Sequence, residues 1–150
     1  MMKVLIQRVK EAECLVDDTV HARIGEGLVL FVSFHKDDET SAIEKLARKT
    51  ANLRIFEDEE GKLNHSAKAL DKEILSISQF TLEADTEKGN RPSFTEAMPP
   101  KTAERWYHLF TEALEAHGLA VYEGSFQSRM QIRLVNDGPV TILLERTSGQ

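Results

Sequence analysis

The sequence predicts a mixed fold, mostly strands, with two amphipathic helices completing the core. Three observations carry that expectation. Apolar residues alternate with polar ones in short runs near both ends of the chain, as half-buried strands require. Leu28-Val29-Leu30-Phe31-Val32 is an unbroken apolar run, which suits a strand covered on both faces. Two longer segments, one opening near Asp38 to Ser41 and one at Pro99-Pro100, repeat their apolar residues at helical spacing.

Length and composition bound what such a fold can do. At 150 residues and 16.9 kDa, one domain spanning residues 1–150 is expected, with a core burying roughly 68–70% of the unfolded chain's surface. The net charge is −6 and the pI about 5.4, so bulk charge does not announce a nucleic-acid partner. A phosphate-bearing partner would have to meet a local cluster of cations. The lone cysteine, Cys14, cannot form an internal disulfide and favours a reducing compartment. It stands in the alternation Ala12, Cys14, Val16, as a core residue would. The apolar run Val4-Leu5-Ile6 is too short for a signal or membrane segment, so no membrane partner and a cytoplasmic location are expected.

Taken in order, residues 3–9 and 11–16 read as two strands, followed by a turn at Asp17-Asp18 and a strand over 19–24. Gly25-x-Gly27 lacks the third glycine of a phosphate loop and precedes a strand rather than a helix, which argues against nucleotide binding there. Ser41-x-x-Glu44 has the form of a capping box, and Ile43, Leu46, Ala47 and Leu53 fall on one helical face. Lys45, Arg48, Lys49 and Arg54 make that helix the most basic stretch of the chain. They form either a solvated face or a phosphate-facing surface. Residues 57–61 read as a turn.

Residues 73–82 read as a further strand, and here polar groups intrude. A hydroxyl or amide inside an apolar strand costs roughly 1–3 kcal/mol when unpaired, so Ser78, Gln79 and Thr81 are either hydrogen-bonded in place or part of a binding site. Residues 83–100 form a long irregular segment, a length often kept for function, with Lys88 and Arg91 able to hold phosphates. The second helix buries Trp106, Phe110, Ala113 and Leu114 and ends at Gly118; a strand over 119–122 follows. Finally, Met130, Ile132 and Leu134 alternate before Asn136-Asp137-Gly138-Pro139, and Val140, Ile142 and Leu144 after it. Asp-Gly between alternating runs predicts a hairpin, with Gly138-Pro139 at a tip free of obstructing side chains.

Several chemistries are disfavoured. His108 and His117 lie nine residues apart on one helix, about 180° around it, and cannot share an ion. No HExxH, paired-Cys spacing or G-x-S-x-G elbow occurs, so neither a metal nor a cofactor is called for. A Thr81 nucleophile would need a positioned base that no neighbouring histidine supplies.

Ser78-Gln79-Phe80-Thr81-Leu82, together with Asn136-x-Gly138-Pro139-Val140-Thr141, closely resembles the D-aminoacyl-tRNA deacylase (DTD) family. The likeness extends through Ile6-Gln7-Arg8-Val9, Leu53-Arg54-Ile55-Phe56-Glu57-Asp58 with Gly61-Lys62-x-Asn64, and Gly89-Asn90-Arg91-Pro92-Ser93-Phe94. Two departures stand out: Gln127-Ser128-Arg129 replaces a Gly-Ala-Asp-like run, and Ser33 stands where the family usually has Gly.

The resemblance implies an α+β fold, a three-layer β/β/α sandwich of mostly antiparallel strands with two main helices on one side, acting as a homodimer. It implies hydrolysis of D-aminoacyl-tRNA, without a cofactor. Ser78, Gln79, Phe80 and Thr81 would form the catalytic pocket. Gly138 and Pro139, joined by a cis bond, would enter the partner's pocket and reject L-aminoacyl groups by clash. Arg8, Met130 and Asn136 would support them. Glycyl-tRNA, having no side chain to clash, is expected as a further substrate. Lys45, Arg48, Lys49, Lys88 and Arg91 are the candidates for tRNA contacts. Two other functions stay open: a module that binds charged tRNA ends without cutting them, and a small-ester hydrolase using Thr81.

Overall fold

Strand β1 (Met2–Val16) organises the molecule. The computed structural model describes residues 1–146, and in it β1 is a single strand where the sequence suggested two. The charged pair Lys10-Glu11 disguises its continuity. Asp17 and Asp18, both in the left-handed region (φ 51° and 61°), turn the chain tightly into β2 (Thr19–Ile24), with Val16 opposite Thr19. Positive φ at both central residues matches the right-handed twist of the flanking strands.

Strand β3 (Gly27–Ser33) and β2 share one edge of β1: residues 3–9 pair with β3 and residues 12–16 with β2. Helix α1 (Ser41–Asn52) follows, then a small hairpin of β4 (Arg54–Glu57) and β5 (Leu63–Ser66), the short α2 (Ala67–Leu70), and β6 (Glu73–Ser78). The capping box is not made. Thr40, not Ser41, is the N-cap, and its helical backbone (φ −62°, ψ −21°) leaves the first turn without a side-chain cap; Leu53 has already left the helix.

Strand β6 runs parallel to β3, with Gly27 opposite Glu73. A Cβ at Gly27 would lie 1.9 Å from the Glu73 carbonyl oxygen, so only glycine fits there. That close approach explains the glycine which a phosphate loop would have claimed. Contrary to expectation, β6 ends at Ser78, and residues Phe80–Glu83 form a 3₁₀ turn.

Helix α3 (Pro100–Ala116) opens on proline as expected and buries Trp106, Tyr107, Phe110 and Leu114. Strand β7 (Val121–Glu123) joins β6 in parallel, and β8 (Met130–Arg146) lies along the other edge of β1. Here the predicted hairpin fails. Both alternating runs pair with β1, from Met2↔Arg146 to Val16↔Met130, and residues 137–140 are an excursion within one strand. Between the pairs Val9↔Asn136 and Gln7↔Thr141, β1 advances by two residues while β8 advances by five.

The sheet order β2-β1-β3-β6-β7, with β8 on β1, yields two cores. Val4, Ile6, Leu28, Leu30, Val32 and Ile74 face α1 and α3. Val9, Ala12, Cys14, Ile24, Val29, Leu75 and Ile77 form a second cluster, closed by Met130, Ile132 and Leu134. The run at 28–32 is thus covered on both faces, as read from the sequence. The fold is α+β, with the two main helices on one side. Among the described residues no helix is long and apolar enough to cross a membrane.

Candidate active site

A cleft of about 530 Å³ opens where β3 and β6 end. Its floor comes from Val32, Ser33, Ile77 and Ser78, and its walls from Phe34, Met98, Pro99 and Phe126. Of the polar groups read as intruding on a strand, Ser78 ends β6 and lines the cleft with Gln79, whereas Thr81 lies in the 3₁₀ turn beyond it and does not line the cleft. Ser78 and Gln79 are half-buried, while Phe80 and Thr81 are exposed. Gln79 donates from Nε2 to Thr81 Oγ1 (2.6 Å), and its backbone N–H donates to the Val32 carbonyl (2.8 Å).

The 3₁₀ turn has a chemical consequence. The first N–H groups of a helical turn have no partner within it, so those of Phe80 and Thr81 are available to an oxyanion or carbonyl. Phe80 and Phe94 meet edge-to-face at 5.2 Å and line the opening, giving it an apolar rim. No histidine lines the cleft, and among the described residues no group of His, Cys, Asp and Glu could hold a metal ion.

Tyr107 stiffens the back wall. Its hydroxyl donates to the Ser76 carbonyl (2.5 Å) and accepts from Gly124 N–H (3.2 Å). Burial first, then the Glu123 carboxylate, pushes the phenol's pKa well above its ordinary range, so it stays a protonated donor.

The remaining anticipated residues divide. Met130 lines the cleft and accepts from Ser125 N–H through its sulfur. Gly138 and Pro139 do not line their own chain's cleft. They occupy the β8 excursion, joined by a cis peptide bond, and both are exposed. Opposite stands Arg8, only 3% exposed, whose Nε donates to the Asp137 carbonyl (3.0 Å) and Nη1 to the Ile55 carbonyl (2.8 Å). Asn136, exposed, pairs with Val9 at the foot of the excursion.

Lys45, Arg48 and Lys49 line a separate groove with Asn52, Leu53, Arg54 and Arg146. Arg54 is held there by the Asn64 carbonyl and side chain. Lys88 and Arg91 are exposed on a loop whose base is closed by reciprocal bonds between Asp85 and Ser93 (2.8 and 2.9 Å).

The family model for D-Tyr-tRNA(Tyr) deacylase matches residues 5–145. The chain belongs to that family. It is 47% identical to a D-aminoacyl-tRNA deacylase of Staphylococcus carnosus, over 99% of both chains. It is 49% identical to one of Thermotoga petrophila, over 96% of this chain and 97% of the other. A solved structure described as c-Myc DNA Unwinding Element Binding Protein superposes with a TM-score of 0.90 at 39% identity, covering 97% of this chain and 99% of that one. A probable eukaryotic D-amino acid tRNA deacylase shares the fold at a TM-score of 0.82 and 19% identity, covering 95% and 98%.

Of the residues that the sequence reading set apart, Ser33, Gln127 and Ser128 fall on the site. Gln127 and Ser128 line the cleft, Gln127 in the left-handed region (φ 58°), with Ser125 and Ser128 hydroxyls 2.6 Å apart. Ser33 lines it too. Phe94 entered the sequence reading only as the end of the Gly89-Asn90-Arg91-Pro92-Ser93-Phe94 motif, and Glu83 only as the start of a long irregular segment; neither was given a part in the site. Phe94 had a signal, an aromatic residue in a long polar loop. Glu83 had none, since a charged residue after an apolar run ordinarily marks a solvated end.

Proposed function

We propose that this chain is a single-domain, cytoplasmic D-aminoacyl-tRNA deacylase, working as a homodimer and accepting glycyl-tRNA as well. The observation that carries the chiral part is the separation of Gly138-Pro139 from its own cleft, combined with its bracing. A dipeptide without polar side chains, exposed on an excursion and fixed by buried Arg8, is built to be presented to something else. A second copy's cleft is the occupant this reading assigns.

In that arrangement the partner's Gly138 and Pro139 carbonyls accept bonds from the substrate's α-ammonium. They leave no space on the face where an L side chain would project. Selection therefore works by exclusion. A D side chain points out of the cleft, and glycine has nothing to exclude. Water attacks the ester carbonyl carbon, and the N–H groups of Phe80 and Thr81 receive the developing oxyanion, each such donor being worth roughly 2.7–4 kcal/mol. The bond to the ribose oxygen then breaks, and that oxygen leaves with a proton as free tRNA. The tRNA's 2′-hydroxyl, adjacent to the ester, steers the water.

Thr81 is not the nucleophile in this scheme, because its hydroxyl meets Gln79 and no base lines the cleft. The cations lining the basic groove, with Lys88 and Arg91, meet tRNA phosphates. The test is turnover of D-tyrosyl-, L-tyrosyl- and glycyl-tRNA by the wild-type chain and by Thr81→Ala, with sedimentation to give the oligomeric state. Cleavage of the D and glycyl esters alone, most of it kept in Thr81→Ala, supports the proposal. Binding of D-tyrosyl-tRNA without cleavage, or an acyl-threonine trapped on Thr81, overturns the catalytic scheme; a monomer overturns the chiral one.

A further inference from the structure

We infer that Glu83, with Ser33 and Lys3, is a positioning residue that fixes the 3₁₀ turn carrying Gln79, Phe80 and Thr81. The inference rests on the deacylase reading for its consequence, though not for its geometry.

The turn is tied at both ends to the same point of the sheet. At its entrance, Gln79 N–H donates to the Val32 carbonyl (2.8 Å). At its exit, the Glu83 side chain, 2% exposed, turns inward. Its Oε2 accepts from Ser33 Oγ (2.6 Å) and lies 3.7 Å from Lys3 Nζ. The same ammonium donates to the Leu82 carbonyl (3.0 Å), one residue earlier in the turn. Lys3 and Ser33 are cross-strand partners on β1 and β3, and Ser33 follows Val32 directly. Two adjacent residues of one strand therefore hold the start and the finish of the turn, and the neighbouring strand supplies the countercharge.

Why this points to positioning follows from the cost of the arrangement. A buried carboxylate is tolerated only when donors and an opposite charge meet it, and well-packed apolar residues stabilise such a place at least as well. What the polar set adds is direction. An apolar contact allows a four-residue turn to slide or rotate, whereas a 2.6 Å bond from Ser33 does not. The Phe80 and Thr81 N–H vectors, on which the oxyanion site depends, are set by that turn. Ser33 itself lines the cleft.

The experiment has two readouts. Hydrogen exchange by mass spectrometry compares amides of residues 79–84 with those of β6 in wild type, Ser33→Ala, Glu83→Ala and Glu83→Gln. Steady-state deacylation of D-tyrosyl-tRNA gives kcat and KM for the same proteins and for Ser33→Ala/Glu83→Ala. Faster exchange confined to residues 79–84 is expected in Ser33→Ala and Glu83→Ala. With it, kcat should fall roughly tenfold to a hundredfold, the scale of a small misplacement, while KM moves by less than about twofold. The double variant should lose no more than Glu83→Ala alone, because the pair acts as a unit. Glu83→Gln, which still accepts from Ser33, should recover most of kcat. Unchanged exchange at 79–84, unchanged kcat in folded variants, or losses that multiply in the double variant overturns the inference. If Glu83→Ala fails to fold, Ser33→Ala and Glu83→Gln decide it. A wild-type chain that leaves D-tyrosyl-tRNA intact refutes the deacylase reading instead, and the exchange comparison still judges the lock.

Discussion

Replacing Arg8 by lysine separates what the guanidinium's charge does from what its shape does. Four contacts converge on it: the Ile55 carbonyl (2.8 Å), the Asp137 carbonyl (3.0 Å), Glu57 Oε1 (3.4 Å) and Asp137 Oδ2 (3.5 Å). The two carboxylates contribute little. The Glu57 side chain is 54% exposed and that of Asp137 34%, and ion pairs so open to water are worth about 0–1 kcal/mol. The carbonyls decide the outcome. Charge-assisted bonds of this kind are worth roughly 1.5–3 kcal/mol each. The two carbonyls belong to different segments, that of Ile55 to β4 and that of Asp137 to the foot of the excursion. A forked guanidinium spans both; a single ammonium on a flexible stem holds one. Arg8→Lys should therefore cost about 1.5–3 kcal/mol, the value of one such bond. At this chain length that corresponds to roughly 3–12 °C in Tm. Equilibrium urea unfolding at fixed protein concentration, with an unchanged m-value, measures the first quantity. The ratio of D- to L-tyrosyl-tRNA turnover measures what the brace does for selection, and it should fall. A variant with the wild-type midpoint and undiminished discrimination would refute the assignment of Arg8 as the brace.

Gly138→Ala should destabilise the chain by about 1–3 kcal/mol, because φ is +129° and a Cβ would lie 3.0 Å from Val140 N and 3.1 Å from Arg8 Nη2; L-tyrosyl-tRNA should then begin to be cleaved as the excursion shifts. Arg48→Glu/Lys49→Glu should raise KM for D-tyrosyl-tRNA and leave hydrolysis of D-tyrosyl-adenosine unchanged, with the slope of log KM against log salt falling by roughly one per phosphate contact removed. Cys14, fully buried, has its thiol pushed up by burial, only partly offset by a hydrogen bond from the Ser125 backbone. An aromatic disulfide reagent at pH 8 should therefore label it no faster than the chain unfolds, since the thiolate is the reactive form.

Much of the fold was legible because its signals are local. The unbroken run at 28–32 announced a strand covered on both faces, Pro99-Pro100 announced the start of α3, and Asp17-Asp18 announced the turn into β2. What failed depended on partners. Alternation says that residues 130–134 and 140–144 are extended, but not whether they pair with each other or both with β1. Similarly, the polar residues after Ile77 read as an expensive strand interior because the sequence gives no sign that β6 ends at Ser78. Of the site, the motif residues were visible as residues. Their convergence with Phe34, Met98 and Phe126 was not, since these come from distant segments brought together only by the order β1-β3-β6. Glu83 shows the limit most clearly. Its burial depends on Ser33 and Lys3, which stand 50 and 80 positions earlier in the chain.

The excursion at 137–140 is also tied to the layering of the whole fold. Met130, Ile132 and Leu134 share sequence parity with Val140, Ile142 and Leu144, and in an uninterrupted strand all six would face one side. They do not: the first three close the cluster around Cys14, and the second three pack against the helix-side core. The exchange of faces comes from an odd number of extra residues between Asn136 and Thr141. On β1 the switch is matched by one extra residue at Lys10, so that Val4 and Ile6 face the helices while Ala12 and Cys14 face the other cluster. Inserting or deleting a single residue in the excursion would turn Val140, Ile142 and Leu144 away from their core. Its length is thus dictated by packing, and what is left for function to choose is its composition: a glycine tolerating φ +129° and a proline beside it.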